Sequence, residues 1–335
     1  MRHVILIIRP AYSHSHIRAH IPLFRSPPHK AHRTMSNFST PTSSALPSGA
    51  ATPTGKPALR ILMLHGFTQS GPLFHAKTRA LEKNLIKAFP THHVTLSYPT
   101  APIRLSPADI PNFGNASNGD AESAEDREEP DAWGWWVRKG EKEPFTYEGM
   151  EAGFARIAEV LSSEGPFDGV VGFSQGGACA GMLASLLEPG RRDAFEAARS
   201  KGGMEFPASL MRDMGDGVQT VHPPLKFAVS YSGFGASNNP LYQAFYEPRI
   251  RTPMLHFLGT LDTVVEESRS LRLVDACADG GGEGRRRVVY HPGGHFLPSS
   301  AKPYVGALVG FIREVLESQS AEDKKEKAED MDVPF

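Results

Sequence analysis

Ser174 sits in Gly172-Phe173-Ser174-Gln175-Gly176-Gly177, between the apolar run Phe167 to Phe173 and the small-residue run Ala178 to Leu187. The first run reads as a short buried strand and the second as a helix. A serine on the turn between them takes a strained backbone conformation, so its neighbours Gly172 and Gly176 must be small. Gly177 lets the helix pack close to the sheet. Such a turn raises the hydroxyl at a helix N-terminus, where backbone N–H groups and the helix dipole favour developing negative charge. That setting suits nucleophilic attack on an acyl carbon. Taken alone, a G-x-S-x-G stretch also fits an incidental glycine-rich turn.

A serine hydroxyl needs a base, and the base needs an orienting carboxylate. In α/β-hydrolases these follow the serine in the order acid then histidine, each on a loop after a late strand. Thr252 to Gly259 reads as an apolar strand that runs into Thr260-Leu261-Asp262, which makes Asp262 the acid candidate. Arg287 to His291 reads as another, and Pro292-Gly293-Gly294-His295-Phe296-Leu297-Pro298 follows it, which makes His295 the base candidate. Each has a plain alternative, since Asp262 lies in good capping chemistry and His295 is one of fourteen histidines. Their occurrence in the required order, each just past a strand, joins the three into a triad. The oxyanion hole then needs two backbone donors: Gln175, after the nucleophile, and Phe67, in the loop His65-Gly66-Phe67-Thr68-Gln69-Ser70 after the strand Arg60 to Leu64. Gly66 gives that loop freedom to turn. His65 precedes the nucleophile at a strand end and suits a hydrogen-bonded structural role better than that of base.

The elements that must position these residues alternate. Phe74 to Phe89 has helical spacing, with Leu81, Leu85, Ile86 and Phe89 on one face; His93 to Leu96 is a short strand; Met150, Phe154, Ile157 and Leu161 mark a helix leading into the serine strand. Phe227 to Ser230 is a later buried strand, and Ala301 to Leu316 closes the fold as a helix. The pattern predicts an α/β-hydrolase fold: a mostly parallel sheet covered by helices on both faces, with a site at the carboxyl ends of the strands. A lid-like insertion spans about residues 104–147, with a polar, acidic stretch from Asn112 to Asp131. All three tryptophans, Trp133, Trp135 and Trp136, follow it. They either roof an acyl pocket or anchor the insertion to the domain. Phe234, with Tyr242, Phe245 and Tyr246, is the candidate lining on the other side.

The blocks His65-Gly66-Phe67-Thr68-Gln69-Ser70, Gly172 to Gly177, Tyr231-Ser232-Gly233-Phe234, Gly259-Thr260-Leu261-Asp262 and Gly293-Gly294-His295-Phe296-Leu297-Pro298 resemble the eukaryotic family of serine hydrolases, the FSH group. The resemblance runs from about Leu59 to about Leu316. It implies a small α/β-hydrolase with esterase or thioesterase activity, of a kind that includes enzymes releasing polyketide acyl chains, and its catalytic set falls on Ser174, Asp262 and His295. The Gly-Phe-Ser-Gln-Gly-Gly block is shared with acyl-protein thioesterases and carboxylesterases; the Tyr-Ser-Gly-Phe and Gly-Gly-His-Phe-Leu-Pro blocks favour the FSH group. The acidic stretch before Trp133 and the N-terminal leader exceed a compact member.

The remaining composition bounds the reading. At 335 residues the chain accommodates one α/β domain, 58–317, with a leader (1–57) and a charged tail (318–335) read as solvated and disordered. A net charge of −1 speaks against a nucleic-acid surface. The two cysteines, Cys179 and Cys277, lie in helix-like stretches and have no metal spacing. No apolar run reaches the length of a membrane span. The first fifty residues are rich in Arg, His, Ser and Pro and contain no Asp or Glu. They read as a disordered leader with Met35 as the working start, or as a mitochondrial transit peptide. The expected location is therefore cytoplasmic, with the nucleus also open, or mitochondrial if the leader is a transit peptide. The expected function is cofactor-independent hydrolysis of small-molecule acyl esters or thioesters by a monomer or homodimer. The alternatives are an acyl-protein thioesterase or lysophospholipase-like enzyme, and a ligand-binding member of the fold without catalysis.

Overall fold

The computed structural model describes residues 55–110, 131–213, 215, 217–278 and 287–331. The leader up to residue 54, Met35 within it, and the acidic stretch up to residue 130 lie outside the described residues.

Strand β1 (Ala58–Leu64) sends Leu59, Ile61 and Met63 to one side and Leu62 and Leu64 to the other, as a strand buried on both faces must. It pairs in parallel with β2 (His93–Ser97) and with β3 (Gly169–Phe173), the strand that ends at the serine. Beyond β3 come β4 (Phe227–Tyr231), β5 (Met254–Gly259) and β6 (Val288–His291), all parallel, in the order β6-β5-β4-β3-β1-β2. Parallel pairing sends each connection back across a face of the sheet. Every strand therefore ends at the same edge.

Helices α1 (Gly71–Ala88) and α6 (Lys302–Met331) cover one face, packing Phe74, Leu81, Leu85, Leu308 and Ile312 against Ile61, Val171 and Val229. On the other face lie α2 (Met150–Glu164) and α3 (Gln175–Leu186), with Phe195 of α4 (Arg191–Arg199) and Leu273 of α5 (Glu267–Asp275) in the same core. Each large apolar side chain fully buried this way stabilises the fold by about 1.5–3 kcal/mol. The expected fold class holds. Among the described residues no helix is long and apolar enough to cross a membrane.

Three local expectations change. Ile86, placed on the inner face of α1 by spacing, is 51% exposed. The buried stripe is Phe74, Thr78, Leu81 and Leu85, and a residue directly after Leu85 is rotated by about 100° out of it. The closing helix does not stop near Leu316 but runs on to Met331. Cys179 is buried in α3, whereas Cys277 lies past α5 in a bridge to Ile250. The insertion is laced at its base: Ile103–Arg104 pairs antiparallel with Trp133–Gly134, and Val137–Lys139 with Thr146–Glu148.

Candidate active site

Ser174 caps α3 with φ 54° and ψ −115°, a strained positive-φ conformation imposed by the tight strand-to-helix turn. The surrounding glycines are required by contact. A Cβ on Gly172 would lie 1.9 Å from the Gly176 carbonyl oxygen, and one on Gly176 would lie 2.1 Å from that of Leu64. The elbow is also tied to β4, because the Ser174 N–H donates to the Tyr231 carbonyl at 2.8 Å.

Asp262 and His295 arrive from the loops after β5 and β6. Those loops are laced together by Thr260 N–H to His291 carbonyl (2.9 Å) and Leu261 N–H to Gly293 carbonyl (3.0 Å). The lacing brings the His295 Nδ1 to 2.7 Å from Asp262 Oδ2 and its Nε2 to 2.9 Å from Ser174 Oγ. Burial alone would raise the Asp262 carboxyl. The N–H of Val265, His295 and the N–H of Val264 outweigh burial and hold the carboxyl below its ordinary range. An ionised carboxylate only accepts, so Nδ1 carries the proton and donates to it. Nε2 is then left as an acceptor facing the serine hydroxyl, which is the tautomer that can take up the serine proton.

His65, the other histidine at this edge, is fully buried. Its Nδ1 lies 2.8 Å from the Gly66 carbonyl, and its Nε2 accepts from the Ala101 N–H at 3.0 Å. Burial pushes its pKa down to about 4. Both nitrogens are thus occupied by backbone, the structural role its position suggested. Gly66 lies against the elbow, since a Cβ there would meet the Phe173 ring at 2.9 Å and the Ser174 Cβ at 3.3 Å. Phe67 follows it, and Gln175 is the first residue of α3, where an N–H has no partner within the helix.

The tryptophans divide. Trp135 and Trp136 are buried in the core, with the Trp135 indole N–H donating to the His65 carbonyl at 3.0 Å and the Trp136 ring tilted against Tyr147. They anchor the segment and do not roof a cleft, because large rings flanked by β1 and α2 gain most from complete burial. Trp133 is half-buried, its indole N–H donating to Asp131 at 2.7 Å. Tyr242, Phe245 and Tyr246, anticipated as pocket lining, are core residues, and Phe234 is buried beneath the Arg269 guanidinium, 4.5 Å from its ring centroid. Sequence reasoning missed the Gln175 side chain. Its Oε1 accepts from the Trp135 N–H and its Nε2 donates to the Trp136 carbonyl, both at 2.8 Å. Only the presence of a long amide side chain, where any residue supplies the backbone N–H, hinted at this. Among the described residues no group of three or more His, Cys, Asp or Glu is arranged to hold a metal.

The chain is similar to known proteins over the stretch that builds this site. It is 32% identical to "Family of serine hydrolases 3" of Saccharomyces cerevisiae, across 78% of this chain and 86% of that one. To "Esterase OVCA2" of Danio rerio it is 31% identical, across 72% and 92%. A Schizosaccharomyces pombe protein named "Dihydrofolate reductase" is 32% identical across 72% of this chain, which spans 44% of that protein's length. Residues 55–306 match the family described as "Serine hydrolase (FSH1)". With the family match covering the sheet, the elbow and both loops, the chain belongs to the FSH1 family of serine hydrolases.

Proposed function

We propose that this serine hydrolase cleaves carboxylic esters or thioesters of small acyl substrates through an acyl-enzyme on Ser174. The observation that carries the reading is one imidazole bridging Ser174 Oγ and Asp262 Oδ2 at 2.9 and 2.7 Å. In this mechanism His295 Nε2 takes the hydroxyl proton as Ser174 attacks the acyl carbon, and Asp262 holds the imidazolium that forms. The N–H groups of Phe67 and Gln175 stabilise the tetrahedral oxyanion. His295 returns its proton to the departing alcohol or thiol, then activates the water that frees the acid. The name of the zebrafish relative, an esterase, supports the ester half of the proposal.

The test is Ser174→Ala. The variant is expected to lose both turnover of short acyl esters and labelling by a fluorophosphonate probe while unfolding at the same temperature as the parent. Turnover or labelling that survives the substitution overturns the reading.

A further inference from the structure

The segment Trp133–Trp136 touches both places from which the oxyanion donors come. Toward the loop after β1, the Trp133 carbonyl accepts the Thr68 N–H at 2.9 Å, holding Thr68 at a φ of 68° that a β-branched residue rarely adopts. The Trp135 indole N–H donates to the His65 carbonyl. Gly134 lies against the Phe67 ring, where a Cβ would come within 2.9 Å. Phe67 is thus held on both sides, through His65 and Thr68, and from its own ring. Toward the elbow, the Gln175 amide bonds the N–H of Trp135 and the carbonyl of Trp136, as a neighbouring strand would. Behind the segment, α2 packs so closely that a Cβ on Gly153 would lie 2.3 Å from the Trp135 carbonyl oxygen.

We infer that Trp133–Trp136 is a strap that sets the two oxyanion donors against each other, with the Gln175 side chain as its positioning residue. The inference rests on the proposed roles of Phe67 and Gln175. An oxyanion donor works only when it is already aimed at the charge that develops, and a displacement of about 1 Å costs about 10²-fold in rate. One donor lies in the loop after β1 and the other opens α3; the two segments touch at Gly66 and Gly176, and the strap adds hydrogen bonds to both. Gln175 is 5% exposed, and both ends of its side-chain amide are used on the strap. Its hydrogen bonds therefore hold position and touch no substrate.

The experiment compares Gln175→Met, which keeps length and loses both hydrogen bonds, with Trp135→Phe, which keeps an aromatic ring and loses the bond to His65. Kinetics on a short acyl ester are normalised to the number of sites titrated by a fluorophosphonate at completion. Gln175→Met is expected to lower kcat per titrated site by about 10- to 100-fold. KM should change by less than about threefold, and the pH dependence of kcat should stay where it is, because the His295–Asp262 pair is untouched. Trp135→Phe is expected to lower kcat by about 3- to 10-fold, and the double variant by less than the product of the two, since both loosen one strap. Either single variant alone suffices if the other fails to fold. An unchanged kcat per titrated site overturns the inference, as does a loss seen only in site number or thermal stability, or a fully multiplicative double variant. If Ser174→Ala retains activity the underlying reading fails instead, so the two failures are told apart.

Discussion

His65 and His295 stand at the same edge of one parallel sheet, each in a loop after a strand, yet they are built for opposite purposes. His65 is sealed between β1 and the Ala101 backbone, with a carbonyl on one nitrogen and an N–H on the other. His295 keeps part of its ring open, with a carboxylate on one nitrogen and a hydroxyl on the other. A ring held by backbone alone is locked neutral in one tautomer, and burial pushes its pKa to about 4. A ring backed by an ionised carboxylate can accept a proton on its far side and be stabilised afterwards. The residue type is therefore uninformative until its partners are known.

Substitutions separate the two histidines, and the largest effect is expected at the carboxylate. Asp262→Asn leaves the shape but inverts the hydrogen-bond demand on Nδ1, and ester kcat should fall by about 10⁴-fold, read by steady-state kinetics. A loss below tenfold would mean that the Asp262–His295 contact does not set the tautomer. His65→Phe should instead act on stability: it leaves the Ala101 N–H and the Gly66 carbonyl without their imidazole, at about 1–3 kcal/mol for each buried group left unpaired. Urea unfolding reads that loss, and kcat per folded molecule should drop by less than about tenfold, since His65 relays no proton.

Acidification sharpens the contrast further. His65 has its folded pKa lowered from 6.5 to about 4, so between those values the unfolded chain takes up a proton that the folded one refuses. Stability is then complete above 6.5 and declines as pH falls toward 4, with a slope of up to about 1.4 kcal/mol per pH unit from this group. His256, pushed to about 3 by burial, adds to the same decline. Asp262, whose carboxyl is held below its ordinary 3.8, contributes stability above that value that is lost only as pH falls through the lower folded one. Chemical denaturation between pH 7 and 4 should therefore show a shallower decline for His65→Gln than for the parent. An unchanged slope would show that His65 is not kept neutral by burial.

Much of this site could be read along the chain. Ser174, Asp262 and His295 each follow an apolar run that ends in a turn, and the order of the three is a constraint that local pattern can express. The parallel sheet was legible for the same reason, because strands buried on both faces write continuous apolar runs such as Val170-Val171 and Phe227-Ala228-Val229. Ile86 escaped because helical spacing tolerates a one-residue ambiguity at the edge of a stripe, and the neighbouring Leu85 took the buried place. Trp135 and Trp136 escaped because a large ring beside a polar insertion suits a cleft or a core equally well until the opposing surface is known.

The sequence by itself determined the candidate residues of the proposed reaction and their order, since an elbow needs glycines and a triad needs three residue types on successive strand ends. Only the tertiary structure decided what holds those parts at working distance. The 2.7 and 2.9 Å contacts of His295 depend on two loops laced together by backbone hydrogen bonds. The Gln175 amide meets its partners 40 and 39 residues away. Contacts between segments so far apart depend on how β1, α2 and α3 pack, and packing is a property of the assembled layers that no single segment encodes.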